Sequence, residues 1–497
     1  MPWFYGPELL ASRIDSHSEP QNYPPPPEAL RRLRLRSFWL FFGPGAIVAC
    51  VTIGSGETVF ASRGGAIFGY ALLWCFVLSA LVKAVQVYSA TRFMVLTGAH
   101  PLESWAKMPG PKNWLVWFMA MVAIAWMPFW LGGGLPRMLG DFMNSLLGSP
   151  DADAAQRAFF GRIWGTVFIV VAITMTLVQG YGFLEKAQTA MVAILLVCML
   201  VAAATCHPDF AAMLNGIVTP RIPEYEEWIK EFPKIAKRDR LVEVVVYLGA
   251  IGGGTQDYLG YLGMMREKGW GMIAAAKAGP SLGRDTIDGS PENIRRARSW
   301  MRAPQLDTGI SFGVMLIFTL CFAVLGAAIL HPQQIVPEGS QLLTHQADFL
   351  VRPDQSEFLQ SLLVWVYRTG VFFAIFGTIY GAYELYTRTI RECLTAAIPR
   401  LRSVPLVKFR IATVLWCGIP GLLLLWLTTK DPVAILTPAA IVSSTFGCGV
   451  WCFAMLWSDK KHLPQALRMP VALRVGVIFS AVVLSVLGVV AFYKQYF

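Results

Sequence analysis

Residues 43–58 read GPGAIVACVTIGSGET. An apolar run is broken near its middle by Gly54, Ser55 and Gly56 and then carries a carboxylate, Glu57, where hydrocarbon should surround it. A second stretch, LVEVVVYLGAIGGGTQDYLGYLGMM at residues 241–265, repeats the pattern: Gly252, Gly253 and Gly254 precede Thr255, Gln256 and Asp257. Glycine costs a helix roughly 1 kcal/mol relative to alanine, so both clusters favour unwound backbone. Unwinding frees amides and carbonyls that lipid cannot satisfy, and such backbone survives only inside protein or beside a polar cavity. Small residues also allow close helix packing in membranes, but packing gives no reason for a carboxylate beside each break.

The rest of the chain fits a membrane setting. Of 497 residues 55% are hydrophobic and 15% charged, with mean hydropathy +0.52, so much of the surface faces something other than water. A bilayer-crossing helix needs about 20 apolar residues. Eleven such spans are expected, near 38–66, 70–97, 113–136, 163–179, 183–205, 241–265, 306–330, 362–386, 407–428, 432–457 and 470–493. Interruptions in the first and sixth, five spans apart, are what an inverted repeat of five helices produces, with the breaks meeting near the bilayer midplane. The expected architecture is an all-α integral membrane protein: a cytosolic tail over residues 1–36 and one transmembrane domain over 37–497. The repeats cover about 38–205 and 241–457, with an extra helix at 470–493.

The nine cysteines show no CxxC pair and no clustering with histidine, which argues against a disulfide framework or a zinc site. The charge of +11 follows cytoplasmic loops rather than nucleic acid. Arg31, Arg32, Arg34 and Arg36 end a proline-rich tail, QNYPPPPEALRRLRLR, that reads as mobile and close to a membrane surface. The 266–302 and 388–402 connections are also basic, whereas residues 331–361 carry Glu338, Asp348, Asp354 and Glu357 against one Arg352. The loop at 206–240 dissents with several lysines and arginines, offset by acidic neighbours. The balance puts the N-terminus in the cytoplasm of a cell whose plasma (inner) membrane the chain spans. The first residues lack the basic start and apolar stretch of a cleavable signal peptide.

Several segments resemble the Nramp (natural resistance-associated macrophage protein) family of proton-coupled divalent-metal transporters. GPGAIVACVTIGSGETVFASRGGAIFGYALLW aligns without a gap on that family's first-span signature. QVYSATRFMVLTG, QGYGFLEK, PDFAAMLNGIV and RAPQLD continue the similarity. The resemblance implies a LeuT-type fold with spans 1 and 6 discontinuous, and cation transport by alternating access, with protons as the coupling ion. It also implies a site: the family's aspartate falls on Gly54, its asparagine on Glu57, its alanine carbonyl on Ala250, its methionine on Gly253 and its histidine on Thr255. Relatives lacking the methionine are associated with magnesium or aluminium. The third span, WLVWFMAMVAIAWMPFWLGGG, has none of the acidic residues the family uses in proton transfer.

Losing methionine removes a soft ligand, while Glu57 and Asp257 offer hard oxygens that suit magnesium or calcium. The candidate ion-binding residues are therefore Gly54, Glu57, Ala250, Gly253, Thr255, Gln256 and Asp257, with Glu57 and Asp257 as metal ligands. The plainer role for both carboxylates is capping the half-helices that follow them. Lys83, mid-span in the second helix, pairs with one of the carboxylates, replaces a coupling cation, or snorkels. Arg368 and Glu384 in the eighth span read as interfacial anchors, and the tryptophans of the third line a pocket or pack. No phosphate loop, hydrolase triad or redox motif appears, so neither an enzyme nor a cofactor is expected. Transport of a small organic solute and a non-transporting membrane sensor are the alternatives.

Overall fold

The computed structural model describes residues 22–31, 41, 43–148, 153–178, 206–275, 287–336, 356–429 and 432–497, with a few positions between 190 and 203. Among these, eight runs are long and apolar enough to cross a membrane. The first, Pro44–Thr97, contains the first two expected spans; the sixth span falls into two short halves and is not among the eight. Most of the fifth span and all of the QGYGFLEK segment lie outside the described residues. The outward faces of the helices are aliphatic: along the eleventh span, Val471–Tyr496, exposed Val475, Ile478, Val482, Val486 and Val489 make a surface suited to lipid.

The two interruptions differ in kind. The sixth span is an α-helix at Arg240–Ala250, irregular backbone at 251–254, and an α-helix at Thr255–Lys268. The first span stays helical throughout: α-helix at Pro44–Thr52, π-helix at Ile53–Ala61 and α-helix at Ser62–Phe68. Its break is thus a change of hydrogen-bond register rather than unwinding. Hydroxyls meet carbonyls around it: Thr58 Oγ1 donates to Ile53 O at 2.7 Å and Thr378 Oγ1 to Cys50 O at 2.9 Å. The first span packs on the sixth, its N-terminal part on 255–268 and its π segment on 240–250.

Charges inside the bundle fix both ends of this pair. Arg63 Nη2 lies 3.2 Å from Glu243 Oε1, and Arg238 Nη1 lies 2.7 Å from Oε2. At the other end Asp307, the last residue of RAPQLD, accepts from the amides of Gly43 and Gly45 at 3.1 and 3.2 Å and from Tyr261 OH at 2.5 Å. Glu384 is a correction to the sequence reading: it is buried and ion-paired with Arg388 at 3.2 Å and Arg410 at 3.0 Å, not an interfacial anchor. The tail differs too. Residues 22–31 are docked rather than loose, with Tyr23 buried, its OH donating to Leu96 O at 2.8 Å and its N–H to Asn293 Oδ1 at 2.7 Å. Proline-rich backbone leaves its carbonyls unpaired, and Trp300 Nε1 uses that of Pro24 at 2.8 Å.

His100 joins the second span to the sixth. Its Nδ1 accepts the Leu102 N–H at 3.2 Å and caps the short helix Pro101–Trp105; its Nε2, 3.3 Å from Leu259 O, then carries the proton and donates. Burial drives the imidazole down from 6.5 to about 4, Arg266 adding to the effect and Glu392 opposing it. Below pH 6.5 the unfolded chain takes up a proton that the folded chain refuses until about pH 4, so stability falls as pH falls across that window. The thermal midpoint is expected to drop between those limits, and less steeply in His100→Asn, which can still cap the helix.

Candidate functional site

The site grows from the backbone of the sixth span. Gly252 and Gly253 adopt φ of +80° and +89°, a region costly for residues with a side chain, and so let the chain turn between the half-helices. Every polar group freed there needs a partner. Of the amides, Gly252 N–H donates to Glu57 Oε1 at 3.0 Å and Gly254 N–H to Asp257 Oδ2 at 2.7 Å. Of the carbonyls, Leu248 and Ile251 accept from Ser79 Oγ at 2.6 and 3.2 Å, and Gly252 accepts from Tyr258 OH at 2.5 Å. Lys83 Nζ donates to Gly249 O, Ile251 O and Gly253 O. Ala250 O lies so close to Gly56 that a Cβ there would come within 2.2 Å.

Beside the break is a cavity of about 10 Å³, room for a single water or a bare ion. Ala250, Gly253, Gln256 and Asp257 line it from the sixth span, Thr378 and Tyr386 from the eighth and Ser444 from the tenth; Val51 and Trp130 form apolar wall. The polar groups of these side chains are all oxygens or amide nitrogen, apart from the indole. Asp257 Oδ2 also accepts from Gln256 Nε2 at 2.9 Å, and Tyr386 hydrogen-bonds the same carboxylate. Gln256 Oε1 in turn accepts from Ser443 Oγ.

The structure therefore brings four of the seven candidates together and sets three apart. Gly54 lies against the eighth span, where a Cβ would stand 2.1 Å from Thr378 Oγ1 and 2.5 Å from Ala374 O. Thr255 Oγ1 donates to Ser443 O at 2.7 Å. Glu57 is fully buried beside the break but does not line the cavity; its Oε1 holds the Gly252 amide, and its Oε2 has no hydrogen-bond partner among the described residues. Lys83 forms no ion pair with either carboxylate among the described residues; its partners are carbonyls. Sequence reasoning did not single out Thr378, Tyr386, Ser444 or Ser79. A hydroxyl in an apolar helix commonly back-bonds to its own carbonyls, as Thr378 also does to Ala374 O at 2.9 Å, so its presence alone carries little signal.

Comparison with known proteins gives a consistent picture. A family model described as natural resistance-associated macrophage protein-like matches residues 45–494. The chain is similar to natural resistance-associated macrophage protein 2 of Mus musculus, 26% identical over 208 residues, which cover 41% of this chain and 34% of that protein. It is similar to the divalent metal cation transporter MntH of Listeria monocytogenes, 23% identical over 189 residues, covering 37% and 38%. The chain thus spans little more than a third of the length of the curated relatives it matches. Among solved structures, the manganese transporter of Eremococcus coleocola in complex with an aromatic bis-isothiourea compound superposes with a TM-score of 0.64 at 14% identity. That match covers 97% of this chain and 90% of the other, and shows a common LeuT-type fold.

Proposed function

The chain belongs to the natural resistance-associated macrophage protein-like family, whose model it matches over residues 45–494, and from that premise we propose a secondary transporter that moves a small inorganic cation by alternating access. The cargo class is carried over from relatives named as divalent metal cation and manganese transporters. The observation that carries it here is the one-water cavity at the sixth-span break, with Asp257, Gln256, Thr378, Tyr386 and Ser444 around it. Oxygen donors without sulfur suit hard cations such as magnesium or calcium. A space of about 10 Å³ has no room for an amino acid or amine, which weighs against an organic solute.

The half-helices add to the site. The C-terminus of 240–250 presents a partial negative charge and the N-terminus of 255–268 a partial positive one. Asp257, capping the latter, faces both the helix and the cavity. A bound cation favours whichever state holds it more tightly, and that difference drives the exchange of gates. Protons serve as the coupling ion in this reading, with the second oxygen of Glu57 as the buried acceptor. The basic 266–302 and 388–402 connections support a cytoplasmic N-terminus in the plasma membrane. The reading needs no covalent chemistry and no cofactor; the lipid bilayer and the transported cation are the partners.

Calorimetry with magnesium, calcium and manganese on purified protein tests the site. Asp257→Asn keeps an oxygen to cap Gly254 but loses the charge, and is expected to bind roughly 10- to 100-fold more weakly. Equal affinities would remove Asp257 from the site. Flux of the same ions into proteoliposomes tests transport itself, and binding without flux would favour a sensor.

A further inference from the structure

The second span, Leu73–Thr97, brings one charge to the break in the sixth. Lys83 is fully buried, and its Nζ lies 2.7 Å from Gly249 O, 2.5 Å from Ile251 O and 2.8 Å from Gly253 O. An ammonium has three N–H donors and no acceptor, so three carbonyls use its whole capacity. The neighbouring carbonyls of Leu248 and Gly252 are served by the neutral hydroxyls of Ser79 and Tyr258. Lys83 reaches the point where the carbonyls of Gly249, Ile251 and Gly253 converge. Converging carbonyls at an unwound membrane helix are otherwise a setting for a monovalent cation. Glu57 and Asp257 stand nearby, but each has an oxygen on a backbone amide rather than on the ammonium.

We infer that Lys83 is a tethered cation: its ammonium fills a carbonyl cage at the sixth-span break that a free monovalent cation would otherwise have to enter, so the two half-helices hold their arrangement with no ion bound there. Lysine suits the role because its charge is compact and carried on a long flexible stem. It is a positioning residue. The transported ion is left with the Asp257 side of the break, and the carbonyls of 249, 251 and 253 are closed to it. The inference rests on the geometry of the break and not on the identity of the cargo, so its test uses no transported ion and can fail while the transport reading stands.

Lys83→Ala removes the ammonium and leaves a hole of its shape. Thermal unfolding of the purified variant is measured in methylammonium, potassium or tetramethylammonium chloride at equal ionic strength, beside the parent. The midpoint is expected to fall by roughly 5 °C or more, because the carbonyls of Gly249 and Gly253 lose their donor and that of Ile251 keeps only a share of the Ser79 hydroxyl. Methylammonium or potassium should restore at least half of that fall; tetramethylammonium, charged but bulky and without N–H groups, should not, and the parent should not respond. An unchanged midpoint, or the same response to all three salts, overturns the inference. Should the variant not survive purification alone, its folded yield is compared in methylammonium and tetramethylammonium chloride. Recovery in the first alone supports the tethered cation, and equal recovery or none in either overturns it.

Discussion

Gly54→Asp is expected to unfold the membrane domain rather than to restore a metal ligand. By resemblance, position 54 takes the family's aspartate, and installing it looks like a repair. The backbone here forbids it: a Cβ at Gly54 stands 2.5 Å from Ala374 O and 2.9 Å from Ala374 C, both backbone atoms of the eighth helix that cannot rotate away. Overpacking a rigid contact costs about 1–3 kcal/mol, and a carboxylate at membrane depth about 2.5–3.5 kcal/mol more. The gain from replacing a helical glycine is roughly 0.5–1 kcal/mol and does not offset this. A loss of about 4 kcal/mol in all should appear as a lower thermal midpoint and a poor folded yield, with no gain in manganese affinity. Gly54→Ala separates the two terms, since it meets the same carbonyl without the charge and should lose only the steric part. A stable Gly54→Asp protein that binds manganese more tightly than the parent would refute the argument.

The same position shows how far the sequence could be read. Three consecutive glycines at 252–254 identify a break because two of them need positive φ, and the structure has irregular backbone there. Gly54 and Gly56 look equivalent in composition, yet the first span keeps its helix. Their hydrogen atoms are needed for close approach instead: Gly54 to Ala374, Gly56 to Ala250. Spacing alone does not distinguish a glycine that bends the chain from one that lets another helix in. Lys83 was visible as an anomaly, but its partners were not, because carbonyls belong to every residue and only the fold says which converge. The docking of Tyr23 was hidden for the opposite reason, as a proline run that is free in most chains becomes a strap once Trp300 and Asn293 reach it.

Glu243→Ala is expected to cost about 3–5 kcal/mol, the loss typical when one partner of a buried ion cluster is removed. Its carboxylate is wholly buried and takes Arg63 and Tyr247 on one oxygen and Arg238 on the other. This cluster ties the C-terminal half of the first span, Ser62–Phe68, to the N-terminal half of the sixth, Arg240–Ala250. On the far side of the two interruptions, Asp307 ties the start of the first span to Tyr261 of the second half-helix. The halves are thus clamped in pairs, and the backbone that departs from α-helix lies between the clamps, in the π segment at Ile53–Ala61 and the glycines at 252–254. Any rocking of one pair against the other must bend there. If Glu243 acts through its charge, replacing it together with Arg63, as Arg63→Met with Glu243→Met, should be milder than the single change, because the buried Arg63 guanidinium is no longer left without its carboxylate, while the partly exposed Arg238 loses its partner in both. Thermal unfolding of the two single variants and the double variant completes the cycle. Additive losses would mean that the clamp works by shape and not by charge.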